Sequence, residues 1–244
     1  MYTDNYIFAE KVVQITSVHP YVHEFCKDYR TDTAPELFVT TTAEDIEKER
    51  VYTENMFVKD PHSRFEPTDG ALEASAVYRR IAEQMIAFDT LLFHGSVVAV
   101  DGTAYIFTAK SGTGKSTHAK LWCELFGERA VMVNDDKPLI RVSEKVTAFG
   151  TPYNGKHRRG NNISAPVKCV CILERDKYNH IEPVTEKDAF GILMQQTYRP
   201  YDAALTAKVI PLIDKMAKGV KLFRLGCNMD IEAAKIAFEG INKG

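Results

Sequence analysis

The stretch Thr103-Ala104-Tyr105-Ile106-Phe107-Thr108-Ala109-Lys110-Ser111-Gly112-Thr113-Gly114-Lys115-Ser116-Thr117 decides the fold. Its first six residues are apolar and β-prone, and after a short glycine-bearing turn a helical pattern runs from Ser116 to Phe126, where Gly127 is placed to cap it. A strand that enters such a turn and leaves it directly as a helix has a specific use. Gly112 and Gly114 let the backbone curl until successive N–H groups face one point, and the helix adds the positive end of its dipole. The result is a cradle for phosphate. Lys115 is placed to reach β and γ phosphates, and the Ser116 hydroxyl to ligate Mg²⁺. The pattern is that of a P-loop, GxxxxGK[ST], with Ala109 where the first glycine is expected. Ser111, Gly112, Thr113, Gly114, Lys115, Ser116 and Thr117 are therefore the expected nucleotide-binding residues, with ATP and Mg²⁺ as the expected cofactors.

Outward from the loop the pattern continues. Upstream, Leu91 to Val100 reads as a strand carrying His94-Gly95, joined to Thr103–Thr108 by an Asp101-Gly102 turn. Downstream, Ala130-Val131-Met132-Val133 reads as a short strand beside the loop that ends in Asn134-Asp135-Asp136, twenty positions after Lys115. Transfer of a phosphoryl group to a hydroxyl needs a further oxygen ligand for the metal and a carboxylate to take the proton, and this pair supplies both.

His94-Gly95, Ser111 to Ser116 and Asn134-Asp135-Asp136 together resemble the catalytic core of HPr kinase/phosphorylase and, more distantly, of ATP-dependent phosphoenolpyruvate carboxykinase. The resemblance covers roughly 91–156. It implies an α/β fold with a P-loop core of mixed sheet and flanking helices. It also implies His94 near the γ-phosphate, Asp135 as general base, and Asp136 with Ser116 at Mg²⁺. The glutamate-bearing signature loop of that family is absent. In its place stands Gly150-Thr151-Pro152-Tyr153-Asn154-Gly155-Lys156-His157-Arg158-Arg159-Gly160-Asn161-Asn162. Thr117-His118 and Leu121-Trp122, together with the Gly150 to Lys156 run, are similar to small bacterial HPr-kinase-like proteins.

The 150–162 segment concentrates cationic groups in a chain with a formal net charge of −2. It can clamp phosphates during transfer, dock an anionic acceptor, form a lid hinged on glycine, or stand as a solvated basic loop. Lys156 is the expected catalytic cation within it, with Arg158 and Arg159 expected at the nucleotide. Gln195, Gln196, Tyr198, Arg199 and Tyr201 could line a substrate or base pocket, but read first as a helix end with surface polar residues.

The rest of the chain sets bounds. Of 244 residues, 45% are hydrophobic and 26% charged, enough apolar side chain for a sizeable core and without the bias of a disordered chain. The small net charge predicts neither nucleic acid nor an anionic membrane as partner. No secretory leader pattern or spanning apolar run is visible, so a cytoplasmic location is expected. Five cysteines without a CxxC indicate neither a disulfide framework nor a zinc site, and Cys169 and Cys171 read as core thiols on one face of a strand. Residues 1–70 are expected to form a small β-rich lobe, ending in a connecting stretch over 51–70, and 71–244 the kinase core. An amphipathic helix over 72–88 is expected to pack on that core.

The sequence thus predicts a Mg-ATP-dependent kinase whose partners are a nucleoside triphosphate and a hydroxyl-bearing acceptor, either a serine of a peptide or protein or a small-molecule alcohol. The alternative is a nucleotide-gated binding module without phosphoryl transfer. The oligomeric state stays open.

Overall fold

The computed structural model describes residues 1–57, 67–155 and 157–243. The chain divides into two compact units, Met1–Gln84 and Met85–Gly244.

In the first unit β1 (Tyr2–Phe8) and β2 (Lys11–Ser17) form an antiparallel hairpin. After the short α1 (Tyr21–Phe25), β3 (Leu37–Thr40) adds in parallel to β2. Tyr6, Phe8, Val13, Ile15, Val22 and Val39 fill its core. Two helices complete it, α2 (Ala43–Phe57) and α3 (Asp69–Met85). The lobe is therefore α/β rather than β-rich, and the first part of the expected connecting stretch is helix. The sequence of α2 is charged on most faces and hides its apolar stripe. Its signal is a capping box: Thr42 N donates to Asp45 Oδ2 (2.9 Å) and Asp45 N donates back to Thr42 Oγ1 (3.4 Å).

Helix α3 lies where 72–88 predicts a helix, but its polar side chains bind within the first unit. The buried Glu73 carboxylate accepts from Val18 N (2.6 Å), His19 N (2.8 Å) and Thr41 Oγ1 (2.7 Å). Arg79 forks onto Glu49 at 2.7 and 3.1 Å, and Gln84 Nε2 donates to Phe38 O. A buried carboxylate with three donors is anchored where those donors are, which sets the helix on the three-stranded sheet.

The second unit carries a curled nine-stranded mixed sheet. Its strands are β4 (Thr90–Leu92), β5 (Ser96–Val100), β6 (Thr103–Thr108), β7 (Ala130–Asn134), β8 (Leu139–Val142), β9 (Val146–Phe149), β10 (Ser164–Arg175), β11 (His180–Pro183) and β12 (Lys221–Cys227). They run in the order β4-β8-β9-β10-β6-β5-β7, with β12 also paired to β10 and β11 to β12. The 12-residue β10 makes the curl: Ser164–Pro166 pair with β9, and the remainder pairs with β6 and β12. Helices α4 (Lys115–Phe126) and α7 (Ile231–Asn242) cover one face, and α5 (Glu186–Gln196) and α6 (Ala203–Gly219) the other.

The strands alternate accordingly. Ile106, Val170 and Ile172 face α5 and α6, whereas Phe107, Cys169 and Cys171 face α4 and α7 around the fully buried Trp122. Cys169 and Cys171 are core thiols, as expected, and all five cysteines are free. Among the described residues no helix is long and apolar enough to cross a membrane.

Strand direction places the site. β6 and β10 are parallel, while β5 is antiparallel to both β6 and β7. The carboxyl ends of β6, β7 and β10 and the amino end of β5 therefore share one sheet edge. The edge outside strand carboxyl ends is where α/β sheets bind ligands. β5 lies between β6, which feeds the glycine loop, and β7, which leads to Asp135-Asp136. One expectation changes here. The single strand expected over 91–100 is two. It breaks at Phe93-His94-Gly95, whose N–H groups donate to Pro138 O, Gln196 O and Asp136 O.

Candidate functional site

The glycine loop leaves β6 and enters α4 at Lys115. Gly112 and Gly114 take φ of +77° and +124°, and neither has a neighbour within 4 Å of a built Cβ, so backbone conformation and not crowding requires glycine there. Ala109 is buried in the core on the α4 face, and its φ is not positive. That explains an alanine at the first position of the pattern. Arg175, at the end of β10, donates to Gly112 O and to Thr113 O (3.3 Å) and braces the loop from outside. Ser111, Ser116 and Thr117 are exposed around it.

Lys115 is nearly buried, and its Nζ donates to Ala109 O (3.1 Å). Burial pushes its pKa down, against the charges of Asp136 and Asp135. The ammonium thus sits in a poorly solvated position with two carboxylates close by.

Asn134 shapes the turn that presents those carboxylates. Its Oδ1 accepts from Asp136 N (2.9 Å) and Lys137 N (2.8 Å), and its Nδ2 donates to Thr151 Oγ1 (3.0 Å) and Thr151 O (3.2 Å). The buried amide is fully engaged, which fixes the turn. Asp135 is 5% exposed and accepts from Ser96 Oγ at Oδ1 (2.9 Å). Burial raises its pKa; hydrogen bonds from Ser96 and Ser116 and the charge of Arg159 act in the opposite direction. The Ser116 hydroxyl is thus near enough to Asp135 to act on its carboxylate. Asp136 instead lies 3.4 Å from His94 Nε2 (Oδ1).

His94 is held on its other side by Gln196. Nδ1 lies 2.7 Å from Gln196 Oε1, so Nδ1 carries the proton in that bond and Nε2 is turned toward Asp136. Thr108 Oγ1 donates to His94 O (2.9 Å). Burial and then the Lys115 charge lower the His94 pKa, against the pull of Asp136. The ring is kept toward its neutral form.

The basic segment folds back to the same edge. Gly150 N donates to Ile163 O and Asn161 N to Val133 O. Gly155 lies with a built Cβ 3.4 Å from Asp136 Cβ. Lys156 lies outside the described residues. Arg158 and Arg159 are exposed, and Arg159 is near enough for its charge to act on Asp135.

The structure therefore gathers His94, Lys115, Ser116, Asp135 and Asp136 around the glycine loop. Sequence reasoning passed over Ser96 and Arg175, and of its two readings of Gln196 it preferred the surface one to the pocket one, although Gln196 is 8% exposed against His94. Ser96 had a signal in its position two residues after His94 on a strand that leads away from the site.

No protein-family model and no curated protein matches the chain. Among solved structures it is similar to the Hpr(Ser) kinase/phosphatase from Coxiella burnetii, at a TM-score of 0.37 and 7% sequence identity, over 61% of this chain and 95% of that one.

Proposed function

We propose that the second unit is a Mg²⁺-dependent phosphotransferase that moves the γ-phosphate of a nucleoside triphosphate, ATP by the motif resemblance, to a hydroxyl. One observation carries the reading. Asp135, a buried carboxylate held by Ser96 Oγ (2.9 Å) just past the end of β7, has its pKa raised by burial and lies near enough to Ser116, at the start of the helix that the glycine loop opens, to feel its hydroxyl. A phosphate cradle alone has no use for such a group, whereas a base is most effective when its pKa is moved toward the working pH.

The residues fit the metal. Among the described residues no cluster of three or more His, Cys, Asp or Glu side chains forms a cage. Mg²⁺ takes few protein oxygens and shares the rest of its shell with water and phosphate, and Ser116 with the neighbouring carboxylates supplies such oxygens. When bound it neutralises charge on the phosphate oxygens.

In this reading the loop amides and Lys115 hold the β and γ phosphates, with Arg175 keeping the loop in place. The acceptor hydroxyl gives its proton to an Asp135 carboxylate oxygen as its own oxygen bonds the γ-phosphorus. The bond from that phosphorus to the β–γ bridging oxygen breaks and leaves a nucleoside diphosphate. His94, kept neutral and oriented by Gln196, stands beside Asp136 at the transferred group. Titration of labelled ATP in Mg²⁺ tests the cradle: the wild type binds and Lys115→Ala loses most of its affinity. Equal binding by both would remove the glycine loop from the site.

A further inference from the structure

A hollow of about 460 Å³ opens on the flank of α4, lined by Lys120, Cys123, Glu124, Met132, Arg158 and Arg159 among others. Three of these are cations and one an anion, in a chain whose overall charge is slightly negative. Lys120, Cys123 and Glu124 lie on one side of α4, and Ser116, one turn before Lys120, belongs to the same side by helical spacing. Its opposite wall is the 158–161 segment, tied to β7 by Asn161 Nδ2 on Met132 O (2.8 Å) and Asn161 N on Val133 O (3.2 Å). β7 ends one residue before Asp135. Met132 on the hollow's wall and Asp135 just beyond the strand's end are thus three residues apart along the chain. Charge agrees with position, since Asp135 and Arg159 both act on the Cys123 thiol.

Lys120 is drawn toward Glu124 across one helical turn (3.3 Å). Both ends of that pair are more than half exposed, so it contributes little and leaves the lysine available to a ligand. Arg158 adopts φ of +47°, a backbone conformation that costs a non-glycine residue energy and that clusters at functional sites.

We propose that this hollow binds the phosphoryl acceptor, and that the acceptor is a small hydroxyl compound bearing a carboxylate or phosphate. Arg159, Arg158 and Lys120 bind the anionic group, and the hydroxyl is directed along the helix toward Asp135. The proposal rests on the phosphotransferase reading and moves Arg158 and Arg159 from the nucleotide, where the sequence placed them, to the acceptor. The volume matches a metabolite-sized ligand.

The test is NMR titration of the full ¹⁵N-labelled chain saturated with Mg²⁺ and a non-hydrolysable ATP analogue. Glycerate and glycerol 3-phosphate are the anionic probes, and glycerol is the uncharged control. Saturable shifts at the amides of Cys123, Gly160 and Asn161 with an anion, absent with glycerol, are expected. Arg159→Gln or Lys120→Gln, each removing one charge-assisted hydrogen bond to the anion, should weaken that binding by about tenfold or more, with nucleotide affinity unchanged. Absence of shifts with either anion overturns the proposal. So does an Arg159→Gln variant that loses nucleotide affinity instead, which returns the arginine to the triphosphate. Failure of the wild type to bind the ATP analogue is a different result and sinks the phosphotransferase reading itself.

Discussion

His94 and Gln196, 102 residues apart, are joined twice: ring Nδ1 to Oε1 at 2.7 Å, and His94 N to Gln196 O at 2.7 Å. The backbone bond fixes where the histidine is, and the side-chain bond fixes which nitrogen carries the proton. Gln196→Ala keeps the first and removes the second. A ring free to rotate and change tautomer should slow phosphoryl transfer by about tenfold, the worth of one buried hydrogen bond, with little change in ATP affinity. Steady-state kinetics separates the two: the loss belongs in kcat and not in KM. An unchanged kcat would show that the orientation of His94 does not bear on the reaction.

Ser96 donates to Asp135 Oδ1 and thereby favours the ionised carboxylate. Burial already raises the pKa of Asp135, so transfer should rise with pH along an acidic limb lying above that of an ordinary carboxylate. Ser96→Ala removes a stabilising donor and should push this limb further up. The pH profile of kcat checks the direction. A limb that stays in place or moves down contradicts the assignment of Asp135 as the base.

Arg175 reaches the glycine loop from the end of β10 and donates to two of its carbonyls, Gly112 O and Thr113 O. The side chain is exposed, so its removal should leave the fold intact while loosening the loop. Arg175→Ala should weaken ATP binding by roughly tenfold, and Arg175→Lys, which lacks the fork, should recover only part of it. Equilibrium binding with a labelled nucleotide measures this, with thermal unfolding as the control. Full recovery by lysine would mean that charge and not bracing is what the loop needs.

His118 lies behind the loop, 2% exposed, with Trp122 Nε1 donating to its Nε2 (3.0 Å). Burial lowers its pKa from 6.5 to about 4. The folded pKa lies below the unfolded one, so the unfolded chain takes up the proton first. Stability is full above pH 6.5 and is lost as pH falls toward 4. The shift corresponds to about 3 kcal/mol. Denaturant unfolding at stepped pH should show this decline, and His118→Gln, which keeps an acceptor for Trp122, should flatten it. The same slope in both would place the acid sensitivity elsewhere.

Where local chemistry and fold agreed, the sequence was readable. The strand, glycine loop and helix from Thr103 to Phe126 and the Asp101-Gly102 hairpin each carry their own turn, cap or apolar stripe. The Asp135-Asp136 pair stood out because two carboxylates end a short apolar strand. What stayed hidden depends on long-range pairing. That β5 separates β6 from β7 follows from ladder hydrogen bonds made at a distance, and no local pattern reports it. The break at His94 is imposed by carbonyls of Asp136, Pro138 and Gln196, so an apolar run from Leu91 to Val100 reads as unbroken. Helix α3 was assigned to the wrong partner because amphipathicity tells that a face is buried and not against what. Glu73, a buried carboxylate in that helix, settles it only once Val18 and Thr41 are seen beside it.

We propose that the edge where β6, β7 and β10 end performs phosphoryl transfer with Asp135 as base. The most direct test is incubation of wild type and Asp135→Asn with γ-labelled ATP, Mg²⁺ and fractionated cell extract, following label into acceptor, nucleotide and free phosphate. The account predicts that the wild type delivers label to an acceptor. It predicts that the variant still binds ATP but transfers at least about a hundredfold more slowly, the range for loss of a positioned base. Transfer by Asp135→Asn at the wild-type rate, or a wild type that releases label only as free phosphate, would contradict it.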